Sequence, residues 1–350
     1  MSRNEQVVEG PLKGYHHETY VFPLPSSGGA AGQVRLKCRE PRKGLLWFDR
    51  RCFDSEDALI RALAGHVTRI PEIIDVEGFG LQRFIEGRTL GFYFRSGEAI
   101  PFRYVDQLMQ LFGELIAVQP DMLSVARRCD MEDRPENRDT SGFLERLILF
   151  TEERVFREHL DNYGTLFEAL RVPSDGLDRL RKRVSGLSRR PFCLLHGDLH
   201  RENFVIDEHD QLWAIDWELA MFGDPLYDLA SHLYLMRYPP SQAMAVARRW
   251  QDAVEAVRGG SSKGWEEDLP RLLDFKRAQS VYTDVIRAAL TLGADPDPDS
   301  SLNTARKLQN VLARAEEPLD IESVPTVWQV QSALVAWRRT RRADPTWSAS

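Results

Sequence analysis

The 350-residue sequence contains few cysteines and no long apolar segment. Its four cysteines (Cys38, Cys52, Cys129 and Cys193) form no CxxC pair and no regular spacing, so we expect reduced thiols rather than a disulfide framework. No apolar run approaches the roughly 18 residues that a membrane-spanning helix needs. The first residues also lack the basic-then-apolar pattern of a secretory signal. These absences favour a soluble, cytoplasmic protein that does not bind a membrane.

An excess of positive charge is also absent. The 53 acidic residues outnumber the 46 basic ones, and the formal net charge is −7. This balance argues against a nucleic-acid partner, because such proteins carry basic surfaces. The first 95 residues are slightly basic, so the acidic excess lies in the remainder of the chain. That distribution suits a cationic small-molecule ligand.

The second half of the chain contains three polar residues at fixed spacing, namely Asp198, Asn203 and Asp216. Short apolar runs beside them predict strands over 192–195, 204–206 and 212–215, with the first two strands as neighbours. A carboxylate, an amide and a second carboxylate at this spacing are typical of kinase active sites. There, the first Asp accepts the proton of the attacking hydroxyl, while the Asn and the second Asp hold Mg²⁺.

Two other interpretations of these residues are possible. A single Asp between strands is usually a turn residue or a helix cap. His196, Asp198 and His200 alternate as the ligands of a metal hydrolase would, but the other histidines form no set at metal-ligand spacing. The kinase interpretation also accounts for Asn203 and Asp216, and it is therefore preferred.

Three segments resemble the family of aminoglycoside phosphotransferases and choline kinases. They are HGDLHRENF (196–204), AIDWE (214–218) and FGDPLYDLA (222–230). The resemblance implies an α+β, protein-kinase-like fold of two lobes, with an antiparallel-sheet N-lobe and a mostly helical C-lobe. We expect a nucleotide-binding lobe over 1–90 and a catalytic, substrate-binding lobe over 91–350.

The resemblance also implies roles for individual residues. Asp198 would be the general base, with Mg²⁺ on Asn203 and Asp216. His196 and Asp228 would support the catalytic loop, Asp228 by accepting hydrogen bonds from its backbone. Glu218 would reach a second metal ion or the substrate, or would be a solvated loop carboxylate.

A kinase needs a cationic side chain that binds the phosphates of the nucleotide, and we expect this residue on a strand. Apolar and basic residues alternate in the segment Val34–Cys38, which indicates a half-buried strand, and Lys37 is our candidate. Glu56, on the core-facing side of the following helix, is its predicted partner. The alternative is a solvated strand lysine, since Arg35 and Arg39 share the face of Lys37.

No G-x-G-x-x-G phosphate loop is present. The candidate loop is Lys13–Tyr20, in which Thr19 would supply a hydroxyl to the phosphates; the alternative is an ordinary hairpin turn. The apolar segment Gly80–Gly87 matches the family's linker between lobes, where backbone groups would meet the purine of ATP or GTP. The residues assigned to the nucleotide there are Gln82, Arg83, Phe84 and Ile85.

Two features favour a small-molecule kinase over a protein kinase. Protein kinases place an Arg before the catalytic Asp to sense a phosphorylated activation segment, whereas this chain has Gly197. Only seven residues separate Asp216 from Asp224, which is too short for such a segment. A protein kinase remains the alternative within the fold.

The remainder of the chain shows helical periodicity over 104–118, 143–170, 243–257, 269–292, 302–315 and 327–339. In the family such helices form the acceptor site, and Tyr282, Asp284 and Arg287 are candidates to line it. A Tyr at helical spacing is more often a core residue. The acceptor hydroxyl belongs to an antibiotic or a metabolite. A catalytically silent binding protein is the alternative function, and the sequence favours no particular oligomeric state.

Overall fold

The structure is a computed structural model that describes residues 8–12, 17–24, 34–41, 46, 48, 50–129, 134–292 and 298–342. The described residues form two compact units, one from 1–131 and 191–262 and the other from 132–190 and 263–349. The predicted lobe boundary near residue 90 falls inside the first unit. The division into a nucleotide-binding lobe and a catalytic lobe remains a prediction.

An antiparallel sheet forms the N-terminal part of the first unit. Its strands span Glu9–Leu12 (β1), His17–Pro23 (β2), Arg35–Pro41 (β3), Ile73–Val76 (β4) and Phe79–Arg83 (β5). Their order is β1-β2-β3-β5-β4. The register places Lys37 opposite Val21 on one side and Gln82 on the other, so these three side chains share a face of the sheet.

Helix α1 (Glu56–Leu63) covers this face. It begins at Ser55, whose hydroxyl accepts a hydrogen bond from the backbone N–H of Ala58 at 3.2 Å. Its apolar side is buried, and Gln82 of β5 donates a hydrogen bond to the Asp57 carboxylate at 2.8 Å. The helix is thereby fixed beside Lys37, with its first residue, Glu56, at the end of the sheet where the site lies.

Five shorter strands form two further sheets in the first unit. They span Arg88–Thr89 (β6), Cys193–Leu195 (β7), Phe204–Ile206 (β8), Leu212–Ala214 (β9) and Met221–Gly223 (β10). The predicted positions of β7, β8 and β9 are confirmed, but the prediction that β7 and β8 are neighbours is wrong. Strand β8 lies between β6 and β9, whereas β7 pairs with β10. Pairing with β10 is possible because the loop after β9 returns the chain to β7, which brings both ends of the motif together.

The remaining described residues are mainly helical. The helices are Leu90–Tyr93 (α2), Phe102–Ala117 (α3), Thr140–Phe150 (α4), Leu160–Ala169 (α5), Gly176–Arg183 (α6), Pro225–Met236 (α7), Pro240–Val257 (α8), Trp265–Thr291 (α9), Pro298–Arg314 (α10), Glu316–Leu319 (α11) and Val327–Arg342 (α12). A helix occupies each region with predicted helical periodicity. The predicted α+β class, with an antiparallel N-terminal sheet and a helical C-terminal part, is confirmed. Among the described helices, none is both long and apolar enough to cross a membrane.

Candidate active site

The loop after β7 carries the first part of the motif. Gly197 has φ +82°, a left-handed conformation that glycine adopts without strain. A Cβ atom added there would lie 2.7 Å from the carbonyl oxygen of Leu219. The backbone therefore requires glycine at this position, and the arginine that protein kinases carry would not fit.

Asp228, near the start of α7, holds this loop in place. Its buried carboxylate accepts hydrogen bonds from the backbone N–H groups of His196 at 3.0 Å and Gly197 at 2.8 Å. Helix α7 is itself capped by Asp224, which accepts from the N–H of Leu226 at 3.1 Å. Asp228 thus makes the contact with the loop backbone that the resemblance implied.

His196 connects the two halves of the motif. Its Nδ1 accepts a hydrogen bond from the N–H of Asp198 at 3.3 Å, and its Nε2–H donates to the carbonyl oxygen of Ile215 at 3.1 Å. Burial lowers the pKa of His196 to about 4, so the ring is neutral at physiological pH. The side chain is fully buried and acts on the site by positioning Asp198 and the backbone before Asp216.

Asp198 has one fixed oxygen and one open oxygen. Its Oδ2 accepts from Nδ2 of Asn203 at 2.9 Å and lies 3.3 Å from Nε2 of His200. Burial alone would lower the pKa of His200, but the hydrogen bond and charge of Asp198 raise it. No donor among the described residues reaches Oδ1 of Asp198, and 27% of the side chain is exposed. That oxygen is therefore available to a hydroxyl proton.

Asn203 and Asp216 lie side by side across the β8–β9 hairpin. The backbone N–H of Ile215 donates to the carbonyl oxygen of Asn203 at 2.9 Å. Nδ2 of Asn203 donates to Asp198, which directs the amide oxygen away from it. Asp216 has φ +69°, a left-handed conformation that is uncommon for residues other than glycine and that frequently marks functional sites.

The two side chains together fit Mg²⁺. This ion prefers oxygen ligands, and it usually keeps water and phosphate oxygens beside one or two protein groups. In the described part of the chain, no hydrogen bond occupies the amide oxygen of Asn203 or the second carboxylate oxygen of Asp216. Burial would raise the pKa of Asp216, but the charges of Arg39 and Lys37 lower it, so the carboxylate is ionised.

The cations of β3 are arranged differently from the sequence prediction. The predicted ion pair between Lys37 and Glu56 is wrong: Arg39 takes Glu56, with Nη1 at 2.6 Å from Oε2, and also contacts Oδ1 of Asp216 at 3.1 Å. Arg39 and Lys37 share one face of β3, and Arg39 has the longer, forked side chain. Glu56, Asp216 and Asp57 act on Lys37 only as neighbouring charges, since no described carboxylate forms an ion pair with it.

Burial, and then the charge of Arg39, lower the pKa of Lys37 to about 8. The ammonium is therefore protonated over most of the physiological range, although its surroundings disfavour the charge. A desolvated cation without an ion-pair partner among the described residues favours an anionic ligand. Lys37 is thus still suited to bind phosphate, although its predicted partner, Glu56, pairs with Arg39.

The other predicted nucleotide contacts lie near this face. Thr19 is in strand β2 rather than in a loop, directly opposite Arg39; residues 13–16 of the predicted loop lie outside the described residues. In the predicted linker, Gln82 is bound to Asp57, and the N–H groups of Arg83 and Phe84 donate to Glu72 and Arg35. Within the described residues, the N–H of Ile85 makes no hydrogen bond.

Glu218 lies two residues beyond Asp216, and its side chain is 10% exposed. It forms an ion pair with Arg51 at 2.9 Å. Burial and the charge of Asp216 raise the pKa of Glu218 to about 7. The carboxylate is therefore largely shielded from solvent, and it lies beside Arg51.

Comparisons with known proteins agree with this geometry. The model of the phosphotransferase enzyme family matches residues 12–260, more than half of the chain. This chain belongs to the phosphotransferase enzyme family. The predicted enzyme class, a phosphotransferase with an alcohol group as acceptor, is thereby confirmed.

Solved structures similar to this phosphotransferase share its kinase-like fold. They include an ethanolamine kinase from Plasmodium vivax (12% identity, TM-score 0.55, covering 91% of this chain and 84% of that one). A choline/ethanolamine kinase family protein from Mesorhizobium loti has 16% identity and a TM-score of 0.53, covering 93% and 92%. A macrolide 2'-phosphotransferase from Brachybacterium faecium has 14% identity and a TM-score of 0.51, covering 91% and 93%.

A curated relative matches only a short segment of this phosphotransferase. Acyl-CoA dehydrogenase family member 11 from Mus musculus is 46% identical over 50 residues, which is 14% of this chain and 6% of that protein. The chain therefore spans a small fraction of that relative's length.

The predicted acceptor residues of the phosphotransferase lie on α9, which belongs to the second unit, whereas the site residues described above belong to the first. Tyr282 is fully buried against Phe156 and Phe167, so it is the core residue that the alternative anticipated. Asp284 and Arg287 contact each other at 3.6 Å and are about one-third exposed. Their role at an acceptor site stays a prediction.

Three side chains of the site were not assigned from the sequence. Arg39 was noted only as a neighbour of Lys37 and Arg51 not at all, because strand alternation does not indicate which basic residue meets a carboxylate. Arg201, within the motif, is buried and donates to the carbonyl oxygens of Met236, Phe94 and Glu98 at 2.7–3.1 Å. Its position between Asp198 and Asn203 was the signal that could have identified it.

Proposed function

We propose that this phosphotransferase is a small-molecule kinase. It transfers the γ-phosphate of ATP or GTP to a hydroxyl of an antibiotic, aminoglycoside-like or other, or of a metabolite. The observation that carries the proposal is the state of Asp198: Asn203 and His200 hold one oxygen, and the other is open to a hydroxyl proton. This is the arrangement that a positioned general base needs.

The donor is held by residues of the sheet and the hairpin. Lys37 contacts its phosphates, and Thr19 supplies a hydroxyl. The N–H of Ile85, which donates to none of the described residues, meets the purine. Asn203 and Asp216 hold Mg²⁺, which, when bound, neutralises the charge that develops on the phosphate oxygens. The buried supports, His196 and Asp228, keep the catalytic loop in place.

The proposed step moves one phosphoryl group. Oδ1 of Asp198 accepts the proton of the acceptor hydroxyl as the hydroxyl oxygen forms a bond to the γ-phosphorus. The bond between the γ-phosphorus and the oxygen that bridges to the β-phosphate breaks, and that oxygen leaves with the nucleoside diphosphate. The products are a phosphate monoester and the diphosphate, with the proton carried on Asp198 until it is released to water.

Two observations support a small, cationic acceptor. The acidic excess beyond residue 95 suits a positively charged molecule. The structural relatives include an ethanolamine kinase and a macrolide 2'-phosphotransferase, and ethanolamine is an amine with a hydroxyl group. We therefore place amino alcohols, aminoglycosides and macrolides before neutral sugars and nucleoside-type antibiotics.

A panel of these compounds tests the proposal. The protein is incubated with Mg²⁺ and either ATP or GTP, and each compound is examined by mass spectrometry for the gain of one phosphate group. We expect one class to be phosphorylated by the wild type and far more slowly by Asp198→Asn. If nucleotide binds tightly but the triphosphate is neither transferred nor hydrolysed in the presence of any acceptor, the catalytically silent alternative replaces the proposal.

A further inference from the structure

Arg39 links two carboxylates that come from different parts of the first unit. Its Nη1 is 2.6 Å from Oε2 of Glu56 at the start of α1 and 3.1 Å from Oδ1 of Asp216 after β9. The side chain is 15% exposed, so these contacts are shielded from solvent. Charge-assisted contacts of this kind are stronger than neutral hydrogen bonds and fix geometry when the cation is a planar guanidinium.

Glu56 extends the link to the backbone of the segment Asp216–Glu218 after β9, which we call the metal loop because Asp216 is a proposed metal ligand. While its Oε2 is bound to Arg39, its Oε1 accepts a hydrogen bond from the N–H of Trp217 at 2.8 Å. The residue that follows Asp216 is thus fixed to α1, and Asp216 itself to β3. These contacts occupy Oδ1 of Asp216, whereas no hydrogen bond from a described residue occupies its other carboxylate oxygen.

The same contacts leave Lys37 without a partner in the described part of the chain. The charged groups that surround its ammonium are Arg39 on β3, Glu56 and Asp57 on α1, and Asp216 on the metal loop. Arg39 neutralises two of the three carboxylates by direct contact. Without Arg39, the carboxylates of Glu56 and Asp216 would lose their cationic partner. Their negative charges would then attract the nearby ammonium of Lys37.

We propose that Arg39 is a positioning residue of the phosphoryl-transfer site, which clamps Glu56 to Asp216 and so keeps Lys37 available to the phosphates of the donor. The inference rests on the proposed function, because it concerns the same donor site. In this proposal, two cations share the role that the sequence analysis assigned to Lys37 alone. Arg39 organises the carboxylates, and Lys37 binds the anion.

Donor binding measured at several pH values tests this division. Wild type, Arg39→Gln, Arg39→Lys and Arg61→Gln are titrated with MgATP and with MgGTP by calorimetry between pH 6.5 and 9.5, and thermal unfolding of each protein checks its fold. Arg61 is a matched control because it lies on the same helix as Glu56, and its ion pair with Asp75 is at the surface. Its variant should bind the donor as the wild type does.

We expect Arg39→Gln to weaken donor binding by about 10–100-fold, the usual cost of removing a group that orients a metal ligand. Its binding should also stay constant to higher pH than in the wild type, because Lys37 then pairs with carboxylates and keeps its proton. Arg39→Lys should recover part of the affinity, since an ammonium keeps the charge but lacks the fork. If Arg39→Gln does not fold, the comparison of the wild type with a folded Arg39→Lys still tests the inference.

Three results overturn the inference in different ways. If the wild type binds a donor and Arg39→Gln binds it with equal affinity and the same pH dependence, Arg39 has no positioning role and the proposed function stands. If Arg39→Gln and Arg39→Lys lose affinity equally, with no change in pH dependence, the contacts are merely structural. If the wild type binds neither MgATP nor MgGTP, the proposed function fails and this inference with it.

Discussion

Asp216 and Glu218 stand two residues apart yet have different surroundings. Asp216 is 34% exposed and contacts Arg39, whereas Glu218 is 10% exposed and paired with Arg51. We expect Asp216→Ala to abolish Mg²⁺-dependent donor binding, because it removes one of the two proposed metal ligands. Glu218→Gln should weaken that binding much less. Calorimetric titration with and without Mg²⁺ distinguishes them, and equal losses would mean that the ligands are assigned wrongly.

Lys37 gives the donor site a dependence on pH. Burial and Arg39 lower its pKa to about 8, so the ammonium loses its proton as the pH rises above that value. The affinity for the donor should therefore be constant below about pH 8 and should fall above it, because a neutral amine no longer attracts phosphate. Lys37→Arg keeps its charge at every pH tested. A donor affinity that falls equally in both proteins would exclude Lys37 as the titrating group.

Lowering the pKa of Lys37 also affects stability. The charged amine is disfavoured in the folded chain relative to the unfolded one, so the unfolded state binds more protons between the folded pKa, about 8, and the unfolded value. The cost is fully present below pH 8 and decreases as the pH rises above it. Above pH 8, the unfavourable contribution of Lys37 to the stability of the ligand-free protein should therefore decrease, whereas donor binding weakens.

Among individual residues, the sequence predicted those whose spacing is fixed by short strands. Asp198, Asn203 and Asp216 are separated by five and thirteen residues, and those intervals leave little freedom in a strand–turn–strand segment. The partner of Glu56 was mispredicted because Lys37 and Arg39 lie on one face of β3. Alternation assigns a side chain to a face, but only the three-dimensional positions of α1 and the metal loop decide which cation reaches both carboxylates.

Among the elements, α7 has the most direct effect on the catalytic loop. Asp228 accepts two backbone hydrogen bonds from it in a buried position. Asp228→Asn replaces one acceptor oxygen by an NH₂ group that faces another donor, so we expect a loss of about 1–3 kcal/mol in the free energy of unfolding, together with lower turnover. Urea unfolding measures the first and a turnover assay the second. Asp75→Asn, an exposed control, should change neither; an equally stable Asp228→Asn with full turnover would remove the bracing role.

The elements themselves were predictable where one physical pattern dominates. The amphipathic period of 3.6 residues located the long helices, and the apolar runs located β7, β8 and β9. The pairing of β7 with β10 was not predictable, because three-residue strands contain no signal for their partners. The irregular turn at Thr151–Phe156, a π-helix inside a region that reads as one helix, was missed for a similar reason: its residues have ordinary helical character.

For the whole molecule, we predict a kinase that needs no activation by phosphorylation. Gly197 leaves no space for a phosphate-sensing arginine, and the clamp of Arg39, Glu56 and Asp216 is already assembled by the packing of the first unit. Protein made in bacteria and treated with a phosphatase should phosphorylate its small-molecule acceptor at the full rate, with casein and histone left unlabelled. Loss of activity after the phosphatase, or efficient labelling of either protein, would restore the protein-kinase alternative.

The most direct test of the central claim is the rate of phosphoryl transfer in Asp198→Asn, measured in a single turnover at saturating donor, acceptor and Mg²⁺. Asp106→Asn, an exposed change on α3, serves as the control. We predict that Asp198→Asn folds and binds the donor as the wild type does, while the transfer step slows by about 10²–10⁴-fold, the usual contribution of a general base. A variant that transfers phosphate at the wild-type rate would contradict the claim that Asp198 accepts the proton of the acceptor.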